Sequence, residues 1–281
     1  MISDSRKSEA LRQAQMRIKF TVSYDGTDFC GWQRQSTLRE HNKTEKPSLC
    51  RTIEEALVKT FKHPISLSAS GRTDAGVHAI EQVCHFDTLR TEKQMLGWDL
   101  GRALKNKLPQ SIVIKKAWIA PNDFHSTLSA ARKTYRYLVY NNEILSPFAA
   151  RQMGWMRQKL DLDYLNNISL PLMGQKDFKS FQSVGTPVKH TIRTIFKAEW
   201  TWKNPEVAQF TITGSGFLKQ MVRNIVGTQL LMARKGFDSD YLEQIIQKKD
   251  RKAAGAPAEA QGLYLMKVYY PLDLDNRCRE L

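Results

Sequence analysis

The segment Ser70-Gly71-Arg72-Thr73-Asp74-Ala75-Gly76-Val77-His78 interrupts a strand-like alternation with two glycines. Such a break bends the backbone sharply and can present the carboxylate of Asp74 beside the guanidinium of Arg72. A carboxylate presented this way can attack carbon as a nucleophile or accept a proton as a general base. The ordinary alternative is a turn aspartate that hydrogen-bonds its own backbone, and residue types alone leave both readings open. His78 and His85 invite a metal reading, but no third or fourth ligand lies at useful spacing. Histidines in strands commonly satisfy a local hydrogen bond instead.

The elements that must position this segment follow from periodicity. Residues 17–24 alternate, with Ile18, Phe20, Val22 and Tyr24 on one face and Arg17, Lys19, Thr21 and Ser23 on the other, which predicts a half-buried strand. Leu49, Ile53, Ala56, Leu57 and Phe61 recur at helical spacing and predict a helix ending before Pro64. Short strands are expected at 65–70 and 82–88, a helix through Leu96, Leu100, Ala103 and Leu104, and a strand from Ile112 to Trp118. The second half repeats the order: a strand over Lys133–Tyr140, a helix near 161–169, strands at about 191–202 and 207–213, and a helix from Phe217 to Lys235 that Gly236 can end. A short helix around Tyr241, Leu242, Ile245 and Ile246 leads to a last strand, Leu263 to Tyr270. Each half reads β-α-β-β-α-β, the ferredoxin-like pattern of an antiparallel sheet with helices on one face. The expectation is an α+β protein with an N-terminal extension (1–16), a first half (17–120) carrying the glycine-flanked aspartate, and a second half (121–275). Leu38 to Pro47 reads as an exposed polar loop.

Composition narrows the function classes. Lys and Arg number 43 against 28 Asp and Glu, a net charge of +15 that favours a polyanionic partner. An open sheet face joined to positive charge is one way to hold RNA, and Tyr135, Tyr137 and Tyr140 stand among Arg132, Lys133 and Arg136, either as stacking surfaces or as core. No apolar run reaches membrane-spanning length, since the most apolar stretch, Ile225 to Ala233, is broken by Gly227, Thr228 and Gln229. The four cysteines (Cys30, Cys50, Cys84, Cys278) are scattered, with neither a disulfide framework nor a zinc spacing. With no signal-peptide pattern at the N-terminus, a cytoplasmic location is expected.

The blocks YDGTDFCGWQRQ (Tyr24 to Gln35), SGRTDAGVHA (Ser70 to Ala79), KTYRYLVYN (Lys133 to Asn141), DFKSF (Asp177 to Phe181), GSGFLKQMVRNIVG (Gly214 to Gly227) and GLYL (Gly262 to Leu265) occur in this order over nearly the whole chain. In that combination the chain resembles the tRNA pseudouridine synthase A family, which modifies uridines 38 to 40 of the anticodon stem-loop. The resemblance implies the pseudouridine synthase fold, two ferredoxin-like (RRM-like) halves whose antiparallel sheets are joined. It implies that Asp74 is the catalytic aspartate, that Tyr135 stacks on the target uracil, that Arg223 pairs with the aspartate, and that Leu265 is an apolar residue against the active site. Arg72 would help bind substrate. It also implies a homodimer, with one tRNA contacting both subunits, and no cofactor or metal. The chain departs from the family at Phe124-His125-Ser126-Thr127, where FHAR is usual, at Cys50, where glutamine is common, and in a longer loop from Thr37 to Pro47.

Isomerisation of uridine breaks the bond from N1 to C1′ and joins C5 to C1′. A carboxylate can serve by attacking C1′, by adding at C6, or by removing the C2′ proton. The Tyr135 phenol is a further candidate, for removal of the C5 proton, and Arg132, Lys133, Lys219 and Arg234 are candidates for phosphate contacts. The rival readings are a non-catalytic RNA-binding protein, a synthase of the same family acting on other RNA positions, and a metal-dependent nuclease, for which no ligand cluster is legible. The surplus of positive charge leads to a first prediction. Affinity for tRNA, measured by filter binding across a salt series, should fall with a log-log slope of about −0.7 to −0.9 per phosphate neutralised. A slope near zero would contradict a phosphate-based docking.

Overall fold

The computed structural model describes residues 16–33, 46–185 and 188–281. The expected N-terminal extension, apart from Met16, and the polar loop, apart from Lys46 and Pro47, lie outside the described residues, as do Arg34 and Gln35 of the first motif block. The chain forms two compact units of interleaved segments. The first runs up to Thr73 and takes in 79–130 and 268–281; the second comprises 74–78 and 131–267. Each is a mainly antiparallel sheet with helices, so the fold class is α+β.

In the first unit, β1 (Met16–Tyr24) is followed by α1 (Leu49–Phe61), β2 (Ser68–Ala69), β3 (His78–Thr88), the short α2 (Glu92–Met95) and α3 (Leu100–Leu104), and β4 (Ile112–Ala120). The strands lie in the order β4-β1-β3-β2, the fourth, first, third and second of a ferredoxin-like half, and a final strand (Arg279–Glu280) pairs with β4. Helix α1 starts where the Ser48 side chain accepts a hydrogen bond from the Arg51 amide. It buries Leu49, Ile53, Leu57 and Phe61, and Phe61 meets Phe86 of β3 edge-on, 5.1 Å between centroids.

Three expectations for this unit need correcting. β1 is covered on both faces, because Thr21 and Lys19 are buried too. The C-terminal segment lies over the second face: the Lys19 ammonium is 2.6 Å from Asp275 and about 5 Å from the ring centres of Trp118, Phe124 and Tyr270. The helix expected through Leu96 to Leu104 is confined to α3, since Gly97 takes φ +74° and Asp99 caps the start at Leu100, while Leu96 ends the separate short helix α2. β3 begins at His78 rather than 82; Ala79 pairs with Tyr24, a continuation hidden by the polar residues His78 and Glu81. Residues 121–130 pack here as well. The Ser126 amide and hydroxyl both reach His85 Nδ1, so that nitrogen is an acceptor, and burial together with the charges of Arg17 and His125 lowers the His85 pKa to about 4. Thr127, standing where the family has arginine, donates to the carbonyl of Ala69.

The second unit contains β5 (Arg132–Asn141), β6 (Gly154–Met156), α4 (Leu162–Asn167), β7 (Gly174–Asp177), β8 (Ile192–Asn204), β9 (Val207–Gly214), α5 (Met221–Lys235), α6 (Tyr241–Lys248) and β10 (Leu263–Tyr269). The order β10-β5-β9-β8 repeats that of the first unit, with β7 beyond β8. Cross-strand register places Tyr137, Phe210 and Trp200 side by side on one face. Helix α5 covers that face, its Gln229 accepting from the Trp200 indole. It starts at Met221 rather than Phe217 because Gln220 takes φ +58°, and it ends at Gly236, φ +65°, as its glycine implied.

The residues that break the apolar run of α5 have specific partners. Gln229 also donates to Ser169, and the Thr228 hydroxyl accepts from the amide of Gly255. Gly227 lies under the strap formed by residues 254–262: a Cβ there would sit 2.0 Å from the carbonyl oxygen of Ala256 and 2.8 Å from the amide nitrogen of Ala258. Both obstacles are backbone, so neither can swing aside. Gly227→Ala should therefore lower the free energy of unfolding by about 1 to 3 kcal/mol or more, measured by urea denaturation. An unchanged midpoint would show that the strap does not need this contact.

Candidate active site

Asp74 opens a four-residue turn. The Val77 amide donates to the Asp74 carbonyl (3.2 Å), and Gly76, third in the turn, takes φ +79°, a conformation that favours glycine. The turn folds with the second unit, where the side chain of Asp74 finds its partner. Arg223 Nη1 donates to Asp74 Oδ2 at 3.1 Å, with the arginine side chain 13% exposed and the aspartate 30%. The carboxylate thus takes a hydrogen bond from a cation 149 residues away and keeps an open side. That is the geometry of a group able to react, and it differs from a turn aspartate satisfied by its own backbone.

Arg223 is held on two sides. It sits in the first turn of α5, its Nε donates to the Ala258 carbonyl at 2.8 Å, and its own carbonyl accepts from the Ala258 amide at 2.9 Å. The strap carrying Ala258 is in turn fixed to β5, whose Tyr137 hydroxyl donates to the Glu259 carbonyl. Gly262 admits the Tyr137 ring so closely that a Cβ would lie 2.4 Å from it. Tyr137, with its hydroxyl engaged and its ring 1% exposed, is a core residue.

Tyr135, two residues earlier on the same face, is 8% exposed and meets Phe217 edge-on at 5.1 Å. Its hydroxyl makes no hydrogen bond among the described residues. Burial, and then the negative charge of Asp74, raise its pKa well above that of an ordinary phenol. The phenol is therefore held in its protonated form at neutral pH. Leu265 is fully buried on β10. Arg72 is exposed and belongs to the first unit. The second unit thus brings together Asp74, Arg223 and Tyr135.

Among the candidate phosphate contacts, Lys133 has a pKa lowered to about 8 by burial and then by the charge of Arg193. The Arg132 guanidinium lies over the Phe196 ring, exposed Lys219 donates to the Val184 carbonyl, and Arg234 is exposed in the last turn of α5, where a cation suits the helix dipole. Sequence reasoning did not single out Phe217, Arg193 or Ala258. Phe217 and Arg193 carry side chains that could have been noticed, whereas Ala258 acts through its backbone, and the only signal is the run of small residues Ala253-Ala254-Gly255-Ala256-Pro257-Ala258. Among the described residues no three His, Cys, Asp or Glu side chains converge as metal ligands. No described helix is long and apolar enough to cross a membrane.

The ion pair should be measurable. A double-mutant cycle of Asp74→Asn and Arg223→Gln in urea denaturation should give a coupling on the order of 1 kcal/mol, since both groups are only partly solvated. A coupling below about 0.2 kcal/mol would mark it as a solvated contact.

Comparison with known proteins gives a consistent picture. Residues 21–127 and 169–271 match the family model described as tRNA pseudouridine synthase. The chain is 58% identical over 265 residues to a tRNA pseudouridine synthase A of Bdellovibrio bacteriovorus, covering 94% of this chain and 99% of that one. It is 38% identical to the protein of that name from Maridesulfovibrio salexigens, with 90% of each chain covered, and 34% identical to that of Vibrio vulnificus, with 92% and 94% covered.

Proposed function

The chain belongs to the tRNA pseudouridine synthase family, and from that premise we propose that it isomerises uridines 38 to 40 of the tRNA anticodon stem-loop to pseudouridine, with Asp74 as the catalytic carboxylate. The observation that carries this reading is the half-open Asp74 carboxylate, oriented by Arg223 and lying in the electrostatic reach of the buried Tyr135. The protein acts in the cytoplasm as a homodimer, one tRNA contacting both subunits, and needs no cofactor.

The reaction moves the glycosidic bond from N1 to C5; the C5 proton is lost and N1 gains one, so atoms balance without an external reagent. Whether the carboxylate attacks C1′, adds at C6 or removes the C2′ proton, it must supply a free lone pair, and Arg223 leaves one side of Asp74 open for this. A stacked uridine has to be extruded first, at a cost of a few kcal/mol. Packing of the base against Tyr135 offsets that cost, stacking being worth about 1 to 3 kcal/mol per base. Tyr135 holds the base through its ring, and its phenol is the candidate for removal of the C5 proton. Leu265 contributes apolar wall, and Arg72 and the basic residues Arg132, Lys133 and Lys219 contact the RNA backbone.

The test is to incubate the pure protein with unmodified tRNA and map pseudouridine at nucleotide resolution, alongside Asp74→Asn. This change is nearly isosteric and removes the charge, so tRNA affinity should stay within about threefold, because the phosphate contacts lie elsewhere. Pseudouridine should appear at 38 to 40 with the unaltered chain and vanish with Asp74→Asn. The thermal midpoint is recorded beside activity, since Arg223 loses its anionic partner. A folded Asp74→Asn protein that still makes pseudouridine would overturn the catalytic assignment. An unaltered chain that binds tRNA without modifying it would favour the non-catalytic rival.

A further inference from the structure

The turn that carries Asp74 is clamped at its far end by groups that the reaction itself does not use. His78 is 2% exposed, and its Nε2 lies 3.0 Å from the carbonyl of Gln261. A carbonyl can only accept, so the proton sits on Nε2 and the ring's orientation is set. The same ring stacks on Tyr264, with centroids 4.7 Å apart and planes 22° from parallel. The Tyr264 ring is itself pinned: its hydroxyl donates to the Gln152 carbonyl at 2.8 Å, and the Arg136 guanidinium lies over it, 5.2 Å from the centroid. Arg136 Nε is buried with no hydrogen-bond partner among the described residues, so at that atom the side chain is held by packing against the ring. Beside this column, a Cβ on Gly76 would be 3.3 Å from that of Ala260, so the turn rests on the strap.

We propose that Tyr264, backed by Arg136, is a positioning residue for the reaction: by fixing His78 it sets the turn and hence the placement of the Asp74 carboxylate against Arg223. The inference rests on the reading of Asp74 as the catalytic group. Its physical basis is that, among the described residues, the Asp74 side chain is hydrogen-bonded to Arg223 alone, so its placement depends on that contact and on the backbone that carries it. The backbone of the segment 74–78, the turn together with His78, must then be held from both ends. On one side the ion pair does this, and on the other the column of His78, Tyr264 and Arg136. Misplacing a reacting group by about 1 Å can cost on the order of 100-fold in rate, so the column affects chemistry far more than binding.

The experiment compares the unaltered chain with Tyr264→Leu and Tyr264→Phe, measuring the single-turnover rate of pseudouridine formation at saturating protein, the Kd for tRNA, and the thermal midpoint. Tyr264→Leu should lower the rate about 10- to 100-fold while Kd stays within about threefold. Tyr264→Phe keeps the ring face and should restore the rate to within about threefold, even though it loses the bond to Gln152. A purely structural role would lower the thermal midpoint and leave the rate of the folded protein unchanged. If Tyr264→Leu does not fold at the assay temperature, Tyr264→Met, of similar reach and without a ring face, is read in the same way. A folded Leu or Met variant with an undiminished rate overturns the inference and leaves the function standing, provided the unaltered chain is active and Asp74→Asn is not. An inactive unaltered chain takes down both.

Discussion

The site depends on one close approach of backbone to backbone. The strap 254–262 lies so near helix α5 that Gly227 has room for no side chain, and Gly255 faces it across Thr228. This contact brings Ala258 within reach of both the side chain and the carbonyl of Arg223, one turn earlier on the helix. It also places Glu259 over Tyr137, Ala260 beside Gly76 and Gln261 beside His78. The strap is short of side chains that could do chemistry, and its contribution is made through carbonyls and amides. Widening the gap would loosen the arginine and the turn together, since both take their positions from the same nine residues.

A second constraint is electrostatic. A reactive carboxylate must be approachable, whereas the arginine that orients it gains from being enclosed, and the exposures of Asp74 and Arg223 divide in that sense. Tyr135 lies on the apolar side of this boundary. Burial and the neighbouring negative charge keep its proton in place. The basic surplus of the chain is a separate feature, suited to holding a polyanion while taking no part in the arrangement of the pair.

The sequence made some of this legible and hid the rest for physical reasons. β1, α1 and α6 could be read because their apolar residues keep one period, and β5, β8 and β9 because they are runs rich in β-branched and aromatic residues. Local backbone conformation misled where it overrode periodicity: Gly97 cuts Leu96 off from the helix that follows, and Gln220 delays α5 by several residues. β6, β7 and the final strand are too short to show a period. The face of β1 carrying Lys19 read as solvated because a lysine usually is; only the fold supplies Asp275 and three rings. For the site, glycine spacing indicated a turn at Asp74, but no spacing rule links it to Arg223. That pairing came from resemblance, because a contact across 149 positions leaves no local trace. The strap left none either, as backbone groups are the same at every residue.

The long separation between Asp74 and Arg223 also sets an order of events during synthesis. The aspartate leaves the ribosome in the first third of the chain, and at about 5 to 20 residues per second its partner follows roughly 7 to 30 s later. The strap comes later still, from residue 254 onward. Until then the arginine lacks the Ala258 backbone that holds it and His78 lacks the Gln261 carbonyl, so the turn 74–78 is without two of its supports. If Asp74 is the catalytic group, a product cut short before the strap would carry both Asp74 and Arg223 without the backbone that fixes them.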